Sequence, residues 1–445
     1  MITKIKGEFG RILYIAAFPL IFLAATALRL FCVFRVPTEQ LYDFSTYQKI
    51  AENIAAGLGH TLDGVPVAWQ GCGYPYFLGN FYRLIGSTDV LYGKLLNTAL
   101  SVGTLVVLFF VFSKFFKKKS HVFIALAITA FLPNHVLYVN VLGSEILFTF
   151  LLSLLLFVFL YVKDWRISFP LIGVLIGVTS LVKPFMPAYI AVAAIMIWMI
   201  SKNLKRTGLF VVTATVLSIA VISPWAFRNY KHFGRFVLVS YNSGYVLYIN
   251  NNDTNVTGAW LDPAAVENEK VQRELQVYLS EKTIKTAHEL EPLFKDETIK
   301  WITSHPVEFL KLGFLRVNQT FFAGANDISQ WTMNGVTAEN DTKPANLFYR
   351  DFNLLGAFFD IFSITLNILG FVFLFISAKK FILLFFSRKA APEPDLLLII
   401  TIINILFFTA LSFVFEGQAR YAFPVYMFMI PAAVRLLINK NKESE

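Results

Sequence analysis

The sequence predicts an α-helical polytopic membrane protein with about ten transmembrane helices, and three observations carry that prediction. Of 445 residues, 56% are hydrophobic and 15% charged, against about 45–50% and about 25% in soluble domains. Several apolar runs reach the ~20 residues a helix needs to cross a bilayer. The basic residues gather in short loops between those runs, as they do where loops face the cytoplasm. The net charge of +10 therefore reports topology, and no nucleic-acid partner is implied. The first run is too long for a cleaved signal peptide, and "RLFCVFRVPTEQ" lacks a small-residue cleavage pattern.

In order, the expected spans lie near 12–34, 91–112, 121–138, 145–162, 169–182, 186–200, 208–224, 353–377, 395–415 and 421–437. Pro184 and Pro187 interrupt the fifth and sixth. The loops "KFFKKK", "KDWR", "SKNLKR", the lysines and arginine of 379–389 and the tail "NKNK" are expected to be cytoplasmic. They alternate with an N-terminus carrying Lys4, Lys6 and Arg11, so both termini are expected inside. Residues 1–224 then form an N-terminal transmembrane catalytic module with an outer loop at 37–90. Residues 225–350 form an extracytoplasmic soluble region, too long for a plain connector. Residues 351–445 supply the C-terminal transmembrane helices. The outer region holds a helical pattern, "ENEKVQRELQVYLSEKTIKTAHELEPLFKDETIKWITS", between the turn-rich "NNNDTNVTG" and "MNGVTAENDTKP". A short outer loop is expected near 133–144. There is no internal repeat and no low-complexity tract, and chemistry is expected outside, where polar chain is concentrated.

The first outer loop contains "QLYDFSTYQKIAENIAAGLGH" (40–60). On a helix, Asp43, Tyr47, Ile50 and Ile54 share one face; Phe44, Ala51, Ala55 and Leu58 form an adjacent apolar strip, and Gly57 or Gly59 would end it. The pattern describes an amphipathic helix lying along the membrane surface. Two readings of Asp43 stand side by side: an N-cap, worth about 1 kcal/mol, or a catalytic carboxylate.

Several charges fall at outer ends of spans. Lys183 in "SLVKPFMP", Arg228 in "SPWAFRNY" and Arg420 in "EGQARYAFP" do so, Lys94 lies early in the second span, and Glu145 opens the fourth in "VLGSEILF". Such charges are costly unless paired or used. Mutual salt bridges or snorkelling to the headgroups would account for any one of them; several cations together suit a phosphate or pyrophosphate. His60, His135, His232 and His305 have no ligand spacing. Cys32 and Cys72 form no metal spacing, and a disulfide between them is open. The Asn-x-Thr sequons at Asn252, Asn255, Asn318 and Asn340 read as Asn-rich outer chain. Phosphate-binding Gly-rich loops, H-E-x-x-H and G-x-S-x-G are absent.

Outer acids and cations beside a bilayer suggest glycosyl transfer from a lipid-linked phosphosugar. A lipid phosphate is already a good leaving group, and cations stabilise its growing charge. The acceptor hydroxyl needs one carboxylate to take its proton, whereas hydrolysis of an alkoxide leaving group needs a carboxyl pair.

The ordered motifs resemble the GT-C membrane glycosyltransferases, in the bacterial branch related to protein O-mannosyltransferases and lipid A aminoarabinose transferases (glycosyltransferase family 39-like). The likeness runs through Asp43, Tyr47, Ala51, Ile54, Gly57 and Gly59, then Gly73, Tyr74 and Pro75. It continues through Ser144 and Glu145, Lys183 and Pro184, and then Pro224, Trp225, Arg228, Asn229, Tyr230, Phe233 and Gly234. It ends at Arg420, Tyr421 and Pro424. The resemblance implies a GT-C fold in a bacterial plasma membrane, with the active site on the extracytoplasmic face. It makes Asp43 the catalytic base and Glu145 an acid near the donor phosphate or a metal. Lys94, Lys183, Arg228 and Arg420 are phosphate-side candidates, and Tyr47, Tyr74, Tyr421 and Asn229 candidates for binding substrate. The donor implied is an undecaprenyl-phosphate type of lipid-linked sugar, and the acceptor a cell-envelope glycan, glycolipid or protein. A divalent cation, Mg or Mn, is a possible cofactor. Many relatives carry two adjacent acids in the first loop, whereas Phe44 follows Asp43 here. Two alternatives remain: an oligosaccharide polymerase or ligase using a lipid diphosphate, and a polytopic transporter or flippase.

Overall fold

The computed structural model describes residues 2–262, 265–280, 287–337 and 347–440. Helix α1 (Ile2–Arg35) leads into a first loop folded as α2 (Asp43–Ala55), an antiparallel hairpin of β1 (Thr61–Leu62) and β2 (Val65–Pro66), and α3 (Gly73–Ile85). Asp63 and Gly64 at the hairpin tip both have positive φ, 47° and 80°, as a two-residue type I′ turn requires. There follow α4 (Val90–Phe115), α5 (Lys119–Ala130), α6 (Pro133–Leu137), α7 (Ser144–Tyr161), α8 (Trp165–Val182), α9 (Tyr189–Ser201) and α10 (Leu204–Phe233). The next region folds into α11 (Ser243–Asn250), α12 (Glu269–Ser280), α13 (Ala287–Ser304), α14 (Pro306–Phe321), α15 (Asn326–Thr332) and α16 (Asn334–Thr337). Helices α17 (Leu347–Phe386), α18 (Leu396–Val414) and α19 (Tyr426–Lys440) complete the bundle.

Among the described residues, eight helices are long and apolar enough to cross a membrane. The pair α5–α6, bent by 54° at its break, makes a ninth, and the shorter apolar helix Met186–Ser201 accounts for the remaining expected run. The break corrects the third expected span. Pro133 has no N–H and disfavours helix at the residue before it, so α5 stops at Ala130. The freed Ala130 carbonyl accepts from the wholly buried Arg29 of α1 at 2.9 Å, while Arg29 Nε donates to Ser101 Oγ at 2.8 Å. The segment near 133–144, expected as an outer loop, is buried throughout its helical part. His135 Nε2 there lies 2.9 Å from the Phe423 carbonyl oxygen. Helix α10 also runs on to Phe233, past residue 224 where the soluble region was expected to begin.

Helices α8 and α10 pack closely because Gly173 and Gly177 leave room. A Cβ at Gly173 would lie 2.8 Å from Ala214 Cα, and one at Gly177 2.7 Å from Val221 Cβ. This small-x-x-x-small spacing is how membrane helices approach. At the opposite end from the first loop, Lys202 donates to the Leu384 and Phe385 carbonyls at 2.9 and 2.8 Å, satisfying the last turn of α17. Buried Arg316 of α14 does similar work at the first-loop end. Its Nε donates to Phe413 O, near the end of α18, at 2.8 Å, and its Nη1 to Asn250 O, the last residue of α11, at 2.6 Å. Two helix C-termini thus supply negative potential to this cation.

Candidate active site

Tyr42, with φ 49°, turns the chain into α2 and occupies the cap position without a side-chain cap bond. Asp43 is the first helical residue, which overturns the N-cap reading. Its carboxylate is turned away from the helix amides and accepts from Arg420 Nη1 at 3.0 Å. The other carboxylate oxygen accepts no hydrogen bond among the described residues. The apolar face of helix α2 packs into the rest of the protein. It buries Phe44, Tyr47, Gln48, Ile50, Ala51 and Ile54 in protein, while Leu58 is exposed. Gly79 of α3 permits the contact, since a Cβ there would lie 2.7 Å from Ala51 O.

Around Asp43 the fold gathers residues from five parts of the chain. The Arg420 guanidinium sits over Trp331 of α15 at 5.4 Å and over its neighbour Tyr421 at 5.3 Å. Phe44 meets Trp331 and Tyr138 edge-on at 5.8 and 6.1 Å. Tyr138 donates to Glu145 Oε2 at 2.8 Å, and Lys183 Nζ lies 2.8 Å from Glu145 Oε1. Arg420 is within electrostatic reach of Glu145 as well. Tyr421 donates to Glu416 Oε2 at 2.6 Å. The two acids differ in exposure: the Asp43 side chain is 37% exposed and that of Glu145 5%. Asp43 is open to a substrate, whereas Glu145 is enclosed and neutralised.

Backbone devices fix this group. A Cβ at Gly143 would fall 2.8 Å from Glu145 Oε2 and 2.8 Å from Tyr138 Cε1, so only glycine leaves space for that carboxylate. Gln40 ties the first loop to the segment before α7, donating to Asn140 O at 2.9 Å and accepting from Leu142 N at 2.7 Å. Tyr47 donates to Ser144 Oγ at 3.4 Å and packs on Tyr74 at 5.4 Å. Burial, reinforced by Asp43 and Glu145, pushes the Tyr47 phenol well above its ordinary range, so it acts as a neutral hydroxyl.

The remaining candidates lie apart from the Asp43–Arg420 contact. Lys94 is buried, reaches Thr38 O at 3.4 Å and has no carboxylate within salt-bridge distance among the described residues. Tyr74 is fully buried and donates to Asn97 Oδ1 at 3.1 Å. Arg228 belongs to another neighbourhood: it donates to Val67 O and His60 O at 3.0 and 2.7 Å and stacks on Trp225 at 4.6 Å. Asn229 is fully buried, its amide donating to Val237 O at 3.1 Å. His60 is buried beside Arg228, its Nδ1 3.1 Å from Val67 O and its Nε2 without a partner.

Between α3, α4, α7, α8 and α10 runs an apolar groove of about 870 Å³. Phe77, Phe150, Val178, Val221 and Arg228 are among its walls. Its lining also includes Leu147 of α7 and Val182 of α8.

A divalent cation needs several oxygen ligands converging on one point. Asp43 is turned onto Arg420 and Glu145 onto Lys183 and Tyr138. Among the described residues, no three His, Cys, Asp or Glu side chains gather at metal-holding distance. The open Asp43 carboxylate oxygen is, among the described residues, the one acidic group of this site left to contribute to a cation. Cys32 and Cys72 are both free and buried in separate apolar clusters, and burial pushes the Cys72 thiol up. Asn252 and Asn255 are buried and hydrogen-bonded within their own turn; Asn318 lies in α14, and Asn340 lies outside the described residues.

Sequence reasoning missed Glu416, Tyr138, Trp331 and Gln40. Glu416 had a usable signal, being an acid at a span end four residues before Arg420 in "EGQARY". Trp331 and Gln40 had none, since their partners are remote in sequence.

No protein-family model matches the chain, and no curated protein matches it. Solved structures match along nearly its whole length. The oligosaccharyltransferase of Archaeoglobus fulgidus in its apo form superposes with a TM-score of 0.54 at 13% identity, over 96% of this chain and 51% of that one. The archaeal oligosaccharyltransferase AglB from Archaeoglobus fulgidus, in complex with an inhibitory peptide and a dolichol-phosphate, gives 0.53 at 13% identity, over 98% and 51%. A complex of the Archaeoglobus fulgidus oligosaccharyltransferase with Zn and sulfate gives 0.50 at 15%, over 94% and 49%. The chain thus spans about half the length of these structures. At such identities the likeness establishes architecture: the chain has the polytopic GT-C fold that its motifs led one to expect.

Proposed function

We propose that the chain is an integral-membrane glycosyltransferase of the bacterial, family 39-like branch. It would move a sugar from a polyprenyl-phosphate carrier, of the undecaprenyl type, to an acceptor hydroxyl on the outer face of the plasma membrane. The observation that carries the reading is the partly open Asp43 carboxylate held by Arg420, beside the enclosed Glu145–Lys183 pair, in a GT-C bundle. The acceptor oxygen attacks the anomeric carbon and gives its proton to Asp43. The carbon–oxygen bond to phosphate breaks, and the lipid phosphate leaves with the electron pair. A single displacement of this kind inverts the anomeric centre. Lys183 and Arg420 face the growing phosphate charge, and the carrier's hydrocarbon chain lies in the groove bounded by α3, whose lining includes Arg228. Reconstitution in liposomes with undecaprenyl-phosphate sugars tests this reading. D43N should lose transfer while still binding undecaprenyl phosphate, and retained turnover in that variant would sink the assignment.

A second reading is favoured by the kind of enzyme with the same fold. The solved relatives in architecture are oligosaccharyltransferases, which suggests transfer of a whole glycan from a lipid diphosphate. A diphosphate calls for more cations, and Lys94 and Arg228 are the further ones at this end of the bundle. Comparing binding of undecaprenyl monophosphate and diphosphate separates the two. The acceptor in either case is a cell-envelope glycan, a glycolipid or a protein.

A further inference from the structure

We propose that Glu416 is a positioning residue for Arg420, acting through the Tyr421 hydroxyl; the inference rests on the reading of Arg420 as a ligand of the donor phosphate. Glu416 is 3% exposed and lies between the end of α18 and Arg420. Both its oxygens accept: Oε2 from the Tyr421 hydroxyl at 2.6 Å, and Oε1 from the Gln418 amide at 2.5 Å. Donors at both oxygens favour the ionised carboxylate.

A tyrosine hydroxyl has a single proton, and Tyr421 donates it to Glu416 in a hydrogen bond. The hydroxyl oxygen can then only accept in its remaining directions, and what faces it is Arg420 Nη2, at 3.5 Å. Removal of the Glu416 charge frees the hydroxyl to rotate and present its proton to the guanidinium, which repels it. Glu416 therefore fixes the sense of the whole chain Glu416, Tyr421, Arg420, Asp43. With Nη2 held by Tyr421 and the ring faces of Trp331 and Tyr421 bracketing the guanidinium, Nη1 is left aimed at Asp43. When a phosphate takes over from Asp43, the Tyr421 arm keeps the guanidinium plane in place. This pre-organises the cation, the condition under which charge stabilisation costs no rearrangement. The segment itself is braced from outside the bundle. A Cβ at Gly417 would lie 2.6 Å from Arg316 O, and Gly417 N donates to Gly258 O at 3.3 Å.

Two measurements on the full chain in lipid nanodiscs test the inference. The first needs no ligand: a thermal-unfolding double-mutant cycle between E416Q and R420Q, in the presence of Tyr421 and again with Y421F. The two substitutions are expected to couple by about a five- to tenfold factor in the unfolding equilibrium, and the coupling to vanish with Y421F. Additive effects overturn the proposal. The second is binding of undecaprenyl phosphate, with Kd expected to rise about tenfold in Y421F and in E416Q and to recover in part in E416D. An unchanged Kd in Y421F, with clear binding by the unaltered chain, also overturns it. A coupled cycle with no binding by the unaltered chain would instead overturn the donor reading and leave Glu416 as the residue that positions Arg420.

Discussion

Lys183 Nζ lies 2.8 Å from Glu145 Oε1, joining the end of α8 to the first turn of α7 where both side chains are largely enclosed. A pair of this kind is weak evidence for stability as a pair, because desolvation offsets the attraction. Losing one partner is another matter. K183A is expected to destabilise the protein by about 3–5 kcal/mol, because it strands the Glu145 charge. Thermal unfolding in detergent measures it, and K183A/E145Q should recover much of the loss.

Asp43 predicts the opposite split between stability and activity. Its ion pair with Arg420 is partly open to solvent, so D43N should change stability by about 1 kcal/mol or less. Removing a general base should lower transfer by about 10²–10⁴-fold. Parallel melting curves and turnover assays check both halves.

Gly143 is expected to tolerate no side chain. The Cβ of G143A would meet Glu145 Oε2 and the Tyr138 ring at 2.8 Å each, pushing the carboxylate off Lys183 or the ring off the carboxylate. Overpacking of a close-fitted site typically costs about 1–3 kcal/mol. The variant should also lose activity, and thermal unfolding with a turnover assay reads the two effects.

Gln40 offers a test of how the first loop is registered. Q40A removes the acceptor of Leu142 N–H, and an unsatisfied buried donor costs about 1–3 kcal/mol. Because Gln40 stands three residues before Asp43, turnover should fall further than lipid binding does.

His60 gives a pH dependence with a definite sign. Burial, reinforced by the Arg228 charge, holds its pKa at about 3, against about 6.5 for a free imidazole. Below about pH 6.5 the unfolded chain takes a proton there that the folded chain refuses, so stability is full above that pH and declines toward pH 3. The loss by pH 5 should be about 2 kcal/mol. H60Q should flatten that part of the stability–pH curve, as read by unfolding at a series of pH values.

Much of the bundle was legible because apolar runs of span length have few other uses in a chain. Asp43, Glu145, Lys183 and Arg420 were legible for a related reason, since charges at span ends are expensive unless employed. What sequence could not convey was partnership. Arg228 was read as a phosphate-side cation from its place at a span end and in a motif, and Asn229 as a substrate contact from the motif. Their partners, the carbonyls flanking the β1–β2 hairpin and the chain after α10, could not be read that way. The helix break before Pro133 was also hidden, because "TAFLPNH" is apolar on both sides and hydropathy averages across it. The continuation of α10 to Phe233 was hidden by the opposite effect, polarity rising before the helix stops.

The contact between Asp43 and Arg420 joins positions 377 residues apart, one just after the first helix and one just before the last. During synthesis the carboxylate would emerge long before its partner exists. A nascent chain interrupted before the "EGQARY" segment would hold that acid without its cation. Under the proposed function, assembly of the final helix would also complete the site, and a chain that ends before it is expected to show no transfer.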